Sequence, residues 1–163
     1  MLMLGFHCGM RKNEIIQAVA GWFQLEGGFI DMQPTPTMPF NRIKRARTVP
    51  LRECVVEFLR SYGLREPFML RPEITQGRDL YRYDFDVALK KHVAALGLPW
   101  VTAHVMRHTF ASLLVIEGKS IFKVAKWIGD SVKTTEKHYA HLAPRDEDIE
   151  ERPRLRLLPS AVA

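Results

Sequence analysis

Five stretches with apolar residues at helical spacing each run out at a glycine, at Gly9, Gly63, Gly97, Gly118 and Gly129. A glycine just past a helix adopts the left-handed backbone that other residues resist. This punctuation cuts the chain into short helices and excludes a coiled coil; no internal repeat is present. Residues 2–10 read as the end of a buried helix, and residues 12–20 resume helical spacing with Ile15, Ile16 and Val19. Residues 52–62 turn Val55, Val56, Phe58 and Leu59 inward, and residues 80–96 form a longer amphipathic helix with Phe85, Val87, Leu89 and Val93 inward. Thr102 caps a helix over residues 103–117, followed by two shorter ones over 121–128 and 134–142.

The remaining periodicity is that of strands. Trp22, Phe23 and Leu25 precede Gly27-Gly28, and Phe29, Ile30 and Met32 follow, which predicts a hairpin because paired glycines supply the positive φ of a tight turn. Pro34, Pro36 and Pro39 then forbid ladder pairing. A basic run over residues 42–47 leads into Thr48-Val49-Pro50-Leu51, a short third strand at the sheet edge whose cationic rim faces solvent or phosphate. Residues 67–77 read as a loop. The fold class is α+β, mainly α-helical with a small antiparallel three-stranded β-sheet, over residues 1–143. Residues 144–163, acidic and then basic, form a solvated C-terminal tail.

With 163 residues, 47% of them hydrophobic, the chain can build one globular core. Lys and Arg outnumber Asp and Glu by 24 to 18, a net charge of +6 that suits an anionic partner. Cys8 and Cys54 do not make a disulfide framework and are expected as free thiols in a reducing compartment. Residues 1–10 are apolar but lack a positive n-region and a small-residue cleavage site, and they fall far short of the ~20 residues a membrane span needs. A soluble, intracellular protein with no membrane partner is expected.

The densest chemical signal lies in Thr102-Ala103-His104-Val105-Met106-Arg107-His108-Thr109-Phe110-Ala111, then Trp127-Ile128-Gly129-Asp130-Ser131, then Glu136-Lys137-His138-Tyr139-Ala140-His141-Leu142. At i and i+3, His104 and Arg107 share a helix face and can reach one small anion, such as a phosphate. His104 and His108 stand at i and i+4, but residue 105 is Val where a zinc-protease helix needs Glu, so no metal is expected. Tyr62, Tyr81 and Tyr83 read as core or interface residues, and Trp22, Phe23, Phe29, Phe58 and Phe85 as core.

Taken together, the pattern over residues 3–143 resembles the catalytic domain of the tyrosine recombinase and phage integrase family. Residues 8–15, centred on Arg11, resemble that family's first arginine box, and residues 106–111 its second. Thr48-Val49-Pro50-Leu51 resembles the end of its β-ribbon, and the intervals of 23 residues from Arg107 to Asp130 and 9 from Asp130 to Tyr139 fit its register. The resemblance implies a site-specific DNA recombinase or integrase that cuts and rejoins strands through a 3′-phosphotyrosyl intermediate. It implies Tyr139 as nucleophile, with Arg11 and Arg107 gripping the phosphate, His104 assisting proton transfer, and neither cofactor nor metal. The guanidinium is a planar, permanently charged fork suited to that grip. Glu14 would buttress the cations. Arg42, Arg45, Arg47 and His108 are the candidate DNA contacts, double-stranded DNA the expected partner, and a tetramer on DNA the expected assembly. A cytoplasmic, bacterial or phage-encoded protein is implied.

Two positions depart from the family pattern. Eight residues before Pro50, where the family places a lysine that protonates the leaving 5′-oxygen, stands Arg42, a poor proton donor. Lys44 has the right chemistry and lies on the same side of a strand, so it is favoured for this role. Asp130 replaces a His or Trp, and because a carboxylate repels phosphate it is expected to orient a neighbouring donor or the tyrosine helix. These departures leave open a catalytically impaired DNA-binding module of the same ancestry; a helical domain using its basic patch on a protein or RNA partner is a third reading. The chain starts about ten residues before Arg11, so the N-terminal clamp domain typical of the family is expected to be absent.

Overall fold

A computed structural model describes residues 1–34, 46–66, 68–70, 73 and 84–144. Lys44, Arg42, Arg45, Pro36, Pro39, Tyr81, Tyr83 and the tail from residue 145 lie outside the described residues, as does most of the 67–77 loop. The chain order is α1 (Leu2–Cys8), α2 (Lys12–Ile16), a single 3-10 turn (Ala20–Trp22), β1 (Phe23–Gln24), β2 (Phe29–Met32), β3 (Arg47–Pro50), α3 (Glu53–Tyr62), α4 (Phe85–Ala95), α5 (Ala103–Ile116), α6 (Ile121–Ile128) and α7 (Val132–Tyr139). A 3-10 turn, Ala140–Leu142, closes α7. The molecule is thus mainly helical with one small antiparallel sheet in the order β1-β2-β3. No helix among the described residues is long and apolar enough to cross a membrane.

The core forms around α5, whose Met106, Phe110, Ala111 and Leu114 are buried. Helix α1 crosses α5 closely because it presents glycine where the two touch. A Cβ on Gly5 would stand 2.6 Å from the Met106 sulfur, and one on Gly9 would stand 2.3 Å from Phe110 Cδ1. Gly9 also takes φ 60°, which ends α1 and turns the chain sharply into α2.

Side-chain alternation fixes the sheet. Ile30 pairs with Val49 and Met32 with Arg47, and all four are buried, so the face that carries the apolar residues of β2 and β3 also carries an arginine.

Several boundaries and faces differ from the sequence expectations. Helix α2 stops at Ile16 because Val19 is extended and the Ala18 carbonyl accepts from Met69 N at 2.8 Å, away from the helical ladder. Helix α4 starts at Phe85, where the Asp84 carboxylate caps Val87 N at 3.0 Å. Helix α7 starts at Val132, two residues before the predicted start, because the Ser131 hydroxyl caps Thr134 N at 3.0 Å. Val87 and Phe58, expected inside, are exposed, since the buried stripes of their helices run through Phe85, Leu89 and Val93 and through Val55, Val56 and Leu59.

Candidate active site

Two helix ends and one helix face build the site. Gly9 turns the chain so that Arg11 sits at the N-cap of α2 in extended conformation, its side chain projecting from the corner. Its backbone N–H donates to Glu14 Oε2 at 2.7 Å, its Nη1 to Glu14 Oε1 at 3.2 Å, and its Nη2 to the Gly129 carbonyl at 3.0 Å and to Asp130 Oδ1 at 2.5 Å. Arg107, buried on α5, donates from Nη1 to the Gly9 carbonyl at 2.7 Å and from Nη2 to Asp130 Oδ2 at 2.9 Å and to the Ile128 carbonyl. The carbonyl-rich ends of α1 and α6 therefore converge on two guanidiniums, the charge that a helix C-terminus favours.

Asp130 joins the two arginines, one carboxylate oxygen to each. Burial alone would raise its pKa, but Arg107 and Arg11 outweigh burial and hold the carboxyl below the usual range. Glu14 behaves likewise: burial opposes ionisation, and the hydrogen bonds and charges of Arg47 and Arg11 more than offset it. Burial and the neighbouring Arg11 lower the Arg107 pKa against the pull of Asp130, from so high a starting value that the guanidinium stays charged.

Arg11, His104, Arg107 and Asp130 line one open pocket of about 460 Å³, with Thr102 and Ala103 at its wall. At its rim Lys12 Nζ meets Asp86 Oδ2 at 2.5 Å, linking α2 to α4.

Tyr139, at the end of α7, is buried, and its hydroxyl lies 2.5 Å from His108 Nδ1. His108 Nε2 in turn lies 2.7 Å from His104 Nε2. That separation is a hydrogen bond; two nitrogens sharing one zinc ion tetrahedrally would stand about 3.3 Å apart. Burial, then the charges of His104, His138 and Arg107, lower the His108 pKa, so the ring is neutral at pH 7. Burial raises the Tyr139 pKa against the opposing influence of Arg107, so the hydroxyl is protonated.

The family model for the phage integrase family matches residues 1–146. The chain belongs to the phage integrase family. Tyrosine recombinase XerD of Staphylococcus saprophyticus is 28% identical over 152 residues, covering 88% of this chain and 49% of its own length. The chain thus spans about half the length of that curated relative. Among solved structures, the catalytic domain of bacteriophage HP1 integrase aligns with a TM-score of 0.62 at 20% identity, over 88% of this chain and 73% of that one. The Tn1549 transposon integrase, solved in complex with circular intermediate DNA, gives a TM-score of 0.62 at 17% identity, over 90% of this chain and 56% of that one. At these identities the structures share the fold.

In this integrase-family chain, Arg11, His104, Arg107 and Asp130 line one pocket, and Tyr139 reaches them through His108. One expected DNA contact is placed differently. Arg47 is a correction: its side chain is 2% exposed, its Nη1 and Nη2 grip both Glu14 oxygens, and its Nε donates to the Trp127 carbonyl at 2.9 Å, leaving no surface for phosphate. Period-two alternation from inward Val49 was the available signal. His108 faces Tyr139 and His104. The Gly9, Ile128 and Gly129 carbonyls, which fix the arginines, carry no sequence signal because any residue supplies a carbonyl.

Proposed function

We propose that this chain is the catalytic domain of a site-specific DNA recombinase or integrase, with residues 1–143 as that domain and residues 144–163 as its tail. The observation that carries the reading is the Tyr139 hydroxyl, 2.5 Å from His108 and connected through it to a pocket lined by Arg11, His104 and Arg107. A tyrosine beside a pocket with two guanidiniums suits nucleophilic attack on a phosphodiester. Oη attacks phosphorus, the bond to the 5′-oxygen breaks, and a 3′-phosphotyrosyl ester and a free 5′-hydroxyl result. The ester keeps the bond energy, so a 5′-hydroxyl of another strand reverses the step without a nucleotide cofactor. Arg11 and Arg107 offset the charge growing on the phosphoryl oxygens, and Lys44 supplies the proton to the leaving oxygen.

Duplex DNA is the partner this reading names, bound as a tetramer in a bacterial cytoplasm; the DNA held by the Tn1549 integrase supports the partner. A second reading, a DNA-binding module that no longer cuts, is favoured by one observation: Asp130 already engages Nη2 of both arginines.

Covalent trapping separates the two. Nicked duplexes with randomised arms are mixed with the parent chain and with Tyr139→Phe, and denaturing gels are scored for a protein–DNA adduct. An adduct from the parent alone is expected. An adduct that survives Tyr139→Phe removes Tyr139 as nucleophile, and duplex binding without any adduct establishes the non-cutting module.

A further inference from the structure

We propose that His108 takes the proton of Tyr139 and hands one on to His104, a two-imidazole relay from the tyrosine hydroxyl to the arginine-lined pocket. The proposal rests on the strand-transfer reading and names the residue that activates its nucleophile. Among the described residues His108 is the sole hydrogen-bond partner of the Tyr139 hydroxyl, at 2.5 Å. A neutral hydroxyl this close to a neutral ring nitrogen is its natural donor, so Oη donates to Nδ1, and His108 carries its own proton on Nε2. That proton points at His104 Nε2, 2.7 Å away, which must then be bare, leaving His104 protonated on Nδ1. One neutral tautomer assignment satisfies the whole chain of contacts.

The relay moves charge to where the reaction needs it. As Oη bonds to phosphorus, its proton passes to His108 Nδ1 and the Nε2 proton of His108 passes to His104 Nε2. The P–O5′ bond breaks, and the leaving oxygen takes its proton from Lys44. His104 becomes an imidazolium lining the same pocket as Arg11 and Arg107 while negative charge builds on the phosphoryl oxygens. Religation runs the transfers backwards. The groups facing His108 are His104 and Arg107 on α5, His138 and Tyr139 on α7, and Asp130 between α6 and α7. Burial and the charges of His104, His138 and Arg107 outweigh the opposing pull of Asp130 and keep the ring neutral, so its Nδ1 lone pair is free for the hydroxyl of Tyr139.

Histidine ¹⁵N NMR of the free chain at pH 7 gives the first test. The expected result is His108 protonated on Nε2 and His104 on Nδ1, with the His108 Nδ1 shift moving in Tyr139→Phe; His108 protonated on Nδ1 overturns the relay. The second test measures single-turnover adduct formation on the nicked duplexes. His108→Gln should slow it about 10²-fold or more. Placing 2,3-difluorotyrosine, whose phenol ionises far more readily, at position 139 should restore most of the rate in His108→Gln but not in Arg107→Lys. A slow variant that the fluorinated nucleophile does not rescue assigns His108 a structural role and overturns the proposal. If the parent chain itself forms no adduct, the strand-transfer reading falls and the relay's catalytic role falls with it. That outcome differs from failure of the relay alone, in which the parent still reacts.

Discussion

Arg47 and Glu14 meet fork to fork inside the protein, Nη1 on Oε1 at 2.8 Å and Nη2 on Oε2 at 2.6 Å, with side chains 2% and 3% exposed. The pair ties β3 to α2. Because Glu14 also accepts from the backbone and side chain of Arg11, the strand at the end of the basic segment helps to set the position of the first arginine of the candidate site.

Removing one member of this pair leaves the other charged and buried. Arg47→Ala should lower unfolding free energy by about 3–5 kcal/mol, the range for a broken buried pair, as measured by urea denaturation. Replacing both partners with apolar residues, Arg47→Met with Glu14→Leu, should recover most of that stability but not adduct formation, because Arg11 loses the carboxylate that holds both its backbone N–H and its Nη1. A double variant as active as the parent would show that Glu14 does not position Arg11.

Acid should weaken the fold through the same carboxylates. Glu14 and Asp130 have folded pKa values below their unfolded ones, so below neutrality the unfolded chain binds more protons. Their contribution is fully present above the unfolded values of about 4.3 and 3.9, and it is lost as pH falls through the folded values. Denaturation midpoints measured from pH 7 to pH 2 should fall in acid. Glu14→Gln should start lower at pH 7 and lose less on acidification, since its amide does not titrate.

Legibility in the sequence followed the range of the interactions. His104 and Arg107 were readable because i and i+3 on one helix need no tertiary knowledge, and the glycine stops were readable because a positive φ is a local demand. Arg47 was misplaced because what makes a buried arginine tolerable is Glu14, 33 residues away in sequence and on another element. Asp130 was read as an orienting residue, and the structure gives it two arginines to orient from 119 and 23 residues away. His108 lay inside the recognised motif, yet nothing local says that residue 139 returns to it. Val87 and Phe58 failed for a different reason: a helix with many apolar residues admits more than one inward stripe, and only packing selects among them.

Arg107 has a structural duty beside the catalytic one proposed for it. Its guanidinium satisfies the Gly9 and Ile128 carbonyls and Asp130 at once, three acceptors on separate elements. The compact ammonium of lysine cannot span them, so Arg107→Lys should leave at least one carbonyl unpaired at about 1–3 kcal/mol. Adduct formation should fall by about 10²–10³-fold, the loss typical of one donor to a developing oxyanion. Thermal unfolding and single-turnover trapping measure the two effects separately; a variant that keeps the parent's melting temperature would disprove the structural share.

Asp130 pits charge against position, and Asp130→Asn separates them. The carboxylate subtracts one unit of charge from the arginine pocket, and its two oxygens fix both guanidiniums. Asparagine removes the charge and keeps one acceptor oxygen. A phosphate about 6 Å away in a well-solvated site gains on the order of 1 kcal/mol from that change, about fivefold in affinity. Duplex binding at low salt should therefore tighten while adduct formation slows about tenfold, because one arginine loses its hold. If both binding and cleavage improved, Asp130 would be an occupant that phosphate must displace rather than a residue that positions the arginines, and the non-cutting reading would gain its physical cause. If both weakened, the charge of the carboxylate would matter chiefly for keeping Arg11 and Arg107 side by side against their mutual repulsion. Running the same comparison at several salt concentrations separates these cases, since the affinity gain is screened as ionic strength rises and the positioning loss is not.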